Sequence, residues 1–486
     1  MIGAVENWQA AGPEIILTLG TLASIVLGVV AVPTNGTFTR VTGFVGALFI
    51  AAFVVLIVVP SAPTAAFGGL YVLDPFTTFM KALVLIGSFA ALIMMRPFLE
   101  RKKLHRFEIP LLVLLATLGM CIMVSSGSLL TLYIGLELQS LSLYVLAALD
   151  RDSRISTEAG LKYFVLGAVA SGMLLFGSSL IYGFAGTTSF SVLAEQLPAL
   201  LDGRLPGVGL IFGLVFLLAG LAFKVSAVPF HMWTPDVYEG APTAVTAFFA
   251  SAPKVASMAL FIRIILDALP ALSPQWTQII YAMALLSMVL GAFAAIPQPS
   301  IKRLLAYSSI GHVGYALMGL AVGTPEAIAA TTFYMAIYMV TTIGAFACVL
   351  AMRTDTGDTD QIEALSGLRQ ARPWLALAFA CFMLSLLGFP PFAGFFGKLF
   401  VFQAAIEADM ILLAVVAALT SAVAAYYYLR IIKIMYFDDL DQPLLGSDDR
   451  PSALIMIASA VFASPLFVIV WPALWDGAQA AAKSLG

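Results

Sequence analysis

The chain alternates long apolar runs with short polar stretches. Runs of ~20 residues almost without charge have the length of a bilayer-crossing helix. About fourteen can be placed on that rule, at 12–32, 41–60, 74–95, 108–124, 128–149, 158–184, 207–233, 243–267, 275–296, 302–322, 327–351, 373–404, 409–436 and 452–474. The pattern predicts an all-α, polytopic integral membrane protein. Two runs contain residues that an unbroken helix avoids: Pro229 in the seventh and Gly388-Phe389-Pro390-Pro391 in the twelfth. Proline removes a backbone donor and clashes with the preceding turn, so both helices are expected to break. Broken backbone at membrane depth persists only where protein or water satisfies it.

The polar stretches set the orientation. Odd-numbered loops hold Arg40, then Arg96, Arg101, Lys102, Lys103 and Arg106, then Arg151 and Arg154, Lys302 and Arg303, Arg353, Arg369 and Arg372, and finally Arg450. Even-numbered loops hold little beyond Arg204. By the positive-inside rule the odd loops are cytoplasmic and both termini lie on the outer side. The opening Met1-Ile2-Gly3-Ala4-Val5-Glu6 lacks a basic segment, so no cleavable signal is expected. The two breaks lie five runs apart. Five is odd, so a repeat of that length must be inverted in the membrane. The expected organisation is a three-helix extension (1–107), two inverted five-helix units (108–267 and 275–436) and a final loop and span (437–486). Paired broken helices at corresponding positions mark the conducting site of many transporters.

Composition narrows the function. Of 486 residues, 61% are hydrophobic and only 10% charged, with a mean hydropathy of +1.01, which excludes an ordinary soluble domain. Cys121, Cys348 and Cys381 are scattered within apolar runs, so neither a disulfide framework nor a metal site is suggested. No Gly-rich phosphate loop, CxxC pair or nucleic-acid patch is present. The polar loops 352–372 and 437–451 are too short for a soluble catalytic domain.

The remaining candidates are ionisable residues deep in apolar runs: Glu137, Lys224, Lys254, Lys398, His312, and His231 in the first break. Charge at the centre of a membrane helix costs ~2.5–3.5 kcal/mol on insertion scales. Such residues therefore tend to pair, to line water, or to exchange protons. One acid cannot neutralise three lysines, and a desolvated lysine can release and rebind a proton. His231 fits a helix cap and His312 a satisfied core histidine as well as either fits a relay. Lys81 fits a structural or lipid-anchoring role, Arg263 and Lys433 fit snorkelling to the interface, and Lys162 fits either a structural or a relay role.

Two stretches carry a family resemblance. Lys224-Val-Ser-Ala-Val-Pro-Phe-His-Met-Trp-Thr-Pro-Asp-Val-Tyr-Glu-Gly-Ala-Pro-Thr243 and Gly388-Phe-Pro-Pro-Phe-Ala-Gly-Phe-Phe-Gly-Lys398 resemble the antiporter-like membrane subunits of respiratory complex I. The resemblance implies a proton-translocating subunit in the membrane arm, set in a bacterial inner membrane among other membrane-arm subunits and lipids. It implies no cofactor in this chain, with NADH, FMN, iron–sulfur clusters and quinone handled by other subunits. It further implies that Glu137 pairs with Lys224, that Lys254 links two half-channels, and that Lys398 passes the proton outward. A subunit of a multi-subunit cation/proton antiporter would use the same lysines. A purely structural subunit is disfavoured by the cost of burying four charges.

Overall fold

Apolar runs fold as helices because only helices and closed barrels satisfy every backbone group in lipid. The computed structural model describes residues 7–30, 35–59, 62–201, 204–355, 357–440, 444–445 and 449–485. The opening residues through Glu6, read above for a signal, lie outside them. The first helices are α1 (Gly12–Val30), α2 (Asn35–Val58) and α3 (Pro75–Arg101), with a short hairpin of β1 (Thr64–Ala66) and β2 (Tyr71–Leu73) before α3. Next come α4 (Glu108–Val124), α5 (Leu129–Ala147), α6 (Arg154–Ala185), α7 (Phe190–Leu201), α8 (Arg204–Val225), α9 (Trp233–Gly240), α10 (Thr243–Phe249) and α11 (Ala252–Arg263). Then follow α12 (Ser273–Ala294), α13 (Ile301–Val322) and α14 (Pro325–Leu350), a two-residue hairpin of β3 (Arg353–Thr354) and β4 (Gly357–Asp358), and α15 (Leu368–Ala371). The chain closes with α16 (Pro373–Leu387), α17 (Ala393–Glu407), α18 (Ile411–Phe437), α19 (Arg450–Ala463) and α20 (Trp471–Ala482).

Among the described residues, 11 helical segments are long and apolar enough to cross a membrane. The fourth apolar run is the shorter α4, the twelfth divides into α16 and α17, and the last stops at Ser464-Pro465 and resumes as α20. The seventh run breaks after Val225, as the proline predicts. The eighth breaks too, between α10 and α11 at Ser251, which the sequence reading took as continuous. The amphipathic α7 was likewise not anticipated.

Packing in a bilayer draws on close contact rather than on hydrophobic exclusion. Two adjacent pairs show this: α4 on α5 and α12 on α13. A Cβ on Gly119 would stand 2.7 Å from the Gly135 carbonyl oxygen, and one on Gly291 would stand 2.5 Å from the Gly311 nitrogen. The helices around α10–α11, α13 and α14 are nearly enclosed by protein, while α1, α2, α6, α12 and α18 turn much of their surface outward. Lys254 and His312 lie on enclosed helices.

Candidate functional site

The first break is built around Ser226, whose φ of 67° is the left-handed conformation that ends a helix. Its amide donates to the Phe223 carbonyl (3.1 Å), and that of Ala227 to Ala222 (2.8 Å), closing the last turn of α8. Lys254 reaches across from α11. Its Nζ donates to the Val225 carbonyl (3.0 Å) and the Ser226 hydroxyl (2.5 Å) and stands 5.6 Å above the Trp233 ring. An ammonium at a helix C-terminus meets the negative end of the macrodipole and the free carbonyls there.

The second break repeats this chemistry. Gly388, at φ 84°, ends α16. The Lys398 Nζ donates to the Leu387 carbonyl and the Ser421 hydroxyl, both at 2.8 Å, and stands 4.7 Å above the Tyr315 ring. Any Cβ at Gly388 would meet the Lys398 stem at 2.8 Å. That glycine is therefore required twice, for its backbone angle and for the space it leaves.

Lys224 lies at the end of α8. Its Nζ donates to Ser140 (2.5 Å) and lies 3.5 Å from the Tyr144 hydroxyl, both on α5. Exposures are 8% for Lys224, 2% for Lys254 and 6% for Lys398, so all three are buried. Among the described residues none of the three has a carboxylate as ion-pair partner; hydroxyls, carbonyls and ring faces surround them. Glu137 is half-buried and accepts a hydrogen bond from the Ser171 hydroxyl on α6. Glu137 and Lys224 were expected to pair; among the described residues no hydrogen bond or ion pair joins them directly, the carboxylate accepting from Ser171 of α6 and Lys224 donating to the serine one turn further along α5.

His312 lies on α13 beside Lys398. Its Nδ1 lies 2.5 Å from the Tyr334 hydroxyl and its Nε2 3.1 Å from that of Tyr428. Two small cavities of about 10 Å³ each are lined by both His312 and Lys398, about the room one water needs. His231 is half-buried in the first break. No hydrogen bond or ion pair among the described residues joins it to Lys224 or Lys254, and its Nδ1 has no partner there.

The other charges divide plainly. Arg263 does not snorkel: it is 1% exposed and binds both Asp74 oxygens (3.0 and 2.8 Å), Asp267 (2.7 Å) and the Val124 carbonyl (3.0 Å). The alternative to this enclosed network was a long stem reaching the interface, and two carboxylates on neighbouring elements removed the need. Lys81 pairs with Glu14 of α1 and donates to Tyr71 (2.6 Å), a structural role. Lys433 is exposed beside Asp438. Lys162 joins a surface cluster: Asp236 of α9 binds Lys162 (2.7 Å) and Arg303 (2.9 Å), and Arg303 also binds Glu239 (2.8 Å). Burial alone would raise the Asp236 carboxyl, but the Lys162 and Arg303 hydrogen bonds outweigh it and hold the group below its ordinary range.

The sequence reading took the tyrosines as packing and interfacial belts. Tyr144, Tyr315, Tyr334 and Tyr428 instead stand against the candidate relay groups. Their signal was spacing: Tyr144 lies two turns beyond Glu137 on α5, and Tyr315 one turn beyond His312 on α13.

Buried lysines meeting hydroxyls at helix breaks within an enclosed helical core define an ion-translocating membrane protein of the antiporter type. Residues 126–424 match the family described as NADH:quinone oxidoreductase/Mrp antiporter, transmembrane. The chain is 52% identical to NADH-quinone oxidoreductase subunit N of Parvibaculum lavamentivorans, covering 100% of this chain and 99% of the relative. It is 50% identical to the subunit N of Rhodospirillum rubrum, over 97% and 96%. A chain of respiratory complex I from Thermus thermophilus with bound aureothin superposes with a TM-score of 0.80 at 35% identity, over 95% of this chain and 99% of that one. A chain of the Mrp complex from a Dietzia species shares the fold, with a TM-score of 0.83 at 22% identity over 98% of both. The chain belongs to the NADH:quinone oxidoreductase/Mrp antiporter family, in the group of the NADH-quinone oxidoreductase N subunits.

Proposed function

We propose that the chain is a proton-translocating membrane-arm subunit of NADH:quinone oxidoreductase. Glu137, Lys224, Lys254, His312 and Lys398 form its proton relay, and His231 lies at its edge. One observation carries this reading: among the described residues Lys254 and Lys398 are both buried without a carboxylate partner, each capping a helix that breaks in the core. A lysine so placed meets neutral acceptors only, so holding or releasing its proton costs little in broken ion pairs. The hydroxyls of Ser140, Tyr144, Tyr334 and Tyr428 both accept and donate, and can hand a proton from one nitrogen to the next. In this reading the helical units 108–267 and 275–436 are inverted repeats, the termini face the outer side of a bacterial inner membrane, and the partners are other membrane-arm subunits and lipid. The flavin, iron–sulfur and quinone chemistry of the complex belongs to other subunits, and this chain contributes no redox centre.

The test is reconstitution of the whole complex with Lys254→Met. NADH-driven proton uptake into vesicles should fall several-fold while the complex assembles at its normal level. Uptake at the parental rate would remove Lys254 from the relay. Exchange of sodium for protons without NADH turnover would favour the cation/proton antiporter instead, the reading that the shared fold of the Dietzia Mrp chain keeps in view.

A further inference from the structure

The two lysines beside the first break each face an aromatic ring. The Lys224 Nζ lies 5.6 Å from the centroid of the Tyr144 ring, and the Lys254 Nζ lies 5.6 Å from that of Trp233. The face of such a ring is the negative side of its quadrupole and attracts an ammonium within ~6 Å, more strongly where water is excluded. Tyr144 belongs to α5, whereas Trp233 opens α9 beyond the break.

A third ring joins these two. Tyr163 of α6 is buried. It stacks on Trp233, with centroids 4.4 Å apart and planes at 11°. It meets Tyr144 edge-on, at 4.8 Å and 86°. Stacked and edge-to-face contacts are the arrangements that aromatic pairs prefer. Phe249 of α10 packs against the same ring at 5.8 Å. Trp233 is also anchored on its own account: its indole N–H donates to the Phe223 carbonyl (3.0 Å), in the residue before Lys224. Gly167, one turn beyond Tyr163 on α6, leaves room for the Tyr144 hydroxyl, since a Cβ there would stand 2.1 Å from it. Among the described residues Tyr163 makes no side-chain hydrogen bond and touches neither lysine; what it offers its neighbours is its ring.

Resting on the proton-relay reading above, we propose that Tyr163 is a positioning residue for proton transfer. Its ring sets the planes of Tyr144 and Trp233, and through them the places of the Lys224 and Lys254 ammonium groups relative to one another. Proton transfer needs donor and acceptor within hydrogen-bond reach, ~2.6–3.2 Å. A misplacement of ~1 Å at a reacting group can cost on the order of a hundredfold in rate.

The test is NADH-driven proton uptake into vesicles, measured per assembled complex. A side chain that only stabilises the fold changes the amount assembled and leaves this quantity unchanged. Tyr163→Phe keeps the ring, and uptake should stay at the parental rate. Tyr163→Met fills much of the space with a flexible chain that has no plane, and uptake should fall several-fold. Trp233→Leu breaks the column at its other ring and should lower uptake likewise, which decides the matter where the methionine variant does not assemble. Parental uptake in Tyr163→Met or in Trp233→Leu overturns the proposal. So does a loss in Tyr163→Phe as deep as in Tyr163→Met, because the hydroxyl would then be the working group. Loss in Lys254→Met with parental uptake in Tyr163→Met would leave the relay standing and remove the column alone. Parental uptake in Lys254→Met would remove the relay, and the column with it.

Discussion

At the scale of single residues, buried charges in this protein divide into those with opposite charges and those without. Arg263 belongs to the first kind: with Asp74 and Asp267 it forms an enclosed ion network. Removing one partner of such a pair strands the other and costs ~3–5 kcal/mol. Arg263→Ala should therefore lower the thermal stability of the complex or its assembled amount; an unchanged melting profile would show Asp74 to be solvated. Lys224 has no ion-pair partner among the described residues, although the Glu137 charge acts on it at longer range. Ser140→Ala removes its closest partner (2.5 Å) while leaving Glu137 in place. That variant should slow proton uptake several-fold with little loss of assembly, and a parental rate would show that Tyr144 alone suffices.

At the scale of elements, the short helix α9 is the piece most clearly held by charge. Asp236 and Glu239 tie it to α6 and α13 through Lys162 and Arg303. The Asp236 carboxyl is held below its ordinary 3.8, so the folded state binds its proton more weakly than the unfolded chain does. Its contribution is therefore complete above that value and is lost only as the pH falls through the lower, folded one. Amide exchange in α9, corrected for intrinsic rate, should be flat across roughly pH 5 to 8. Asp236→Asn should raise it several-fold, since a partly exposed pair contributes ~0.2–1 kcal/mol. A rise in exchange between pH 8 and 5 in the parent would contradict the assignment.

The breaks in the seventh and twelfth runs were legible because Pro229 and Pro390-Pro391 cannot continue a helix. The break at Ser251 was read through although Pro253, in the first turn of α11, carries the same signal, and the Ser251 hydroxyl closes the end of α10 by donating to the Ala247 and Phe248 carbonyls. The lysines were legible from the cost of placing charge in an apolar run, whereas their hydroxyl partners lie on other helices and depend on packing. For the same reason the direct partner of Glu137 was not legible: which way a carboxylate turns is decided by a neighbour, here Ser171.

At the scale of the whole molecule, enclosed central helices carry Lys254 and His312, and outer helices turn apolar side chains outward. The proposed orientation rests on the basic loops. Lys483, exposed beyond the last helix, should as Lys483→Cys react with an impermeant reagent only from the side opposite Arg101 and Lys102. Reaction from the same side as those residues would invert the assignment. The proposed inverted repeat makes a geometric demand as well: 108–267 should superpose on 275–436 by a rotation near two-fold about an axis in the membrane plane.

The central claim is that Lys398 exchanges a proton rather than filling space. Lys398→Ala and Lys398→Arg separate the two. Arginine keeps the charge and much of the stem but is effectively never deprotonated in proteins. The measurement is the number of protons taken up into vesicles per NADH oxidised, on preparations of equal assembly. A relay lysine predicts that both variants lose proton uptake, arginine included. Full uptake in both would take Lys398 out of the proton path, and uptake preserved in Lys398→Arg alone would show that a fixed charge, not an exchanging one, is what the site requires.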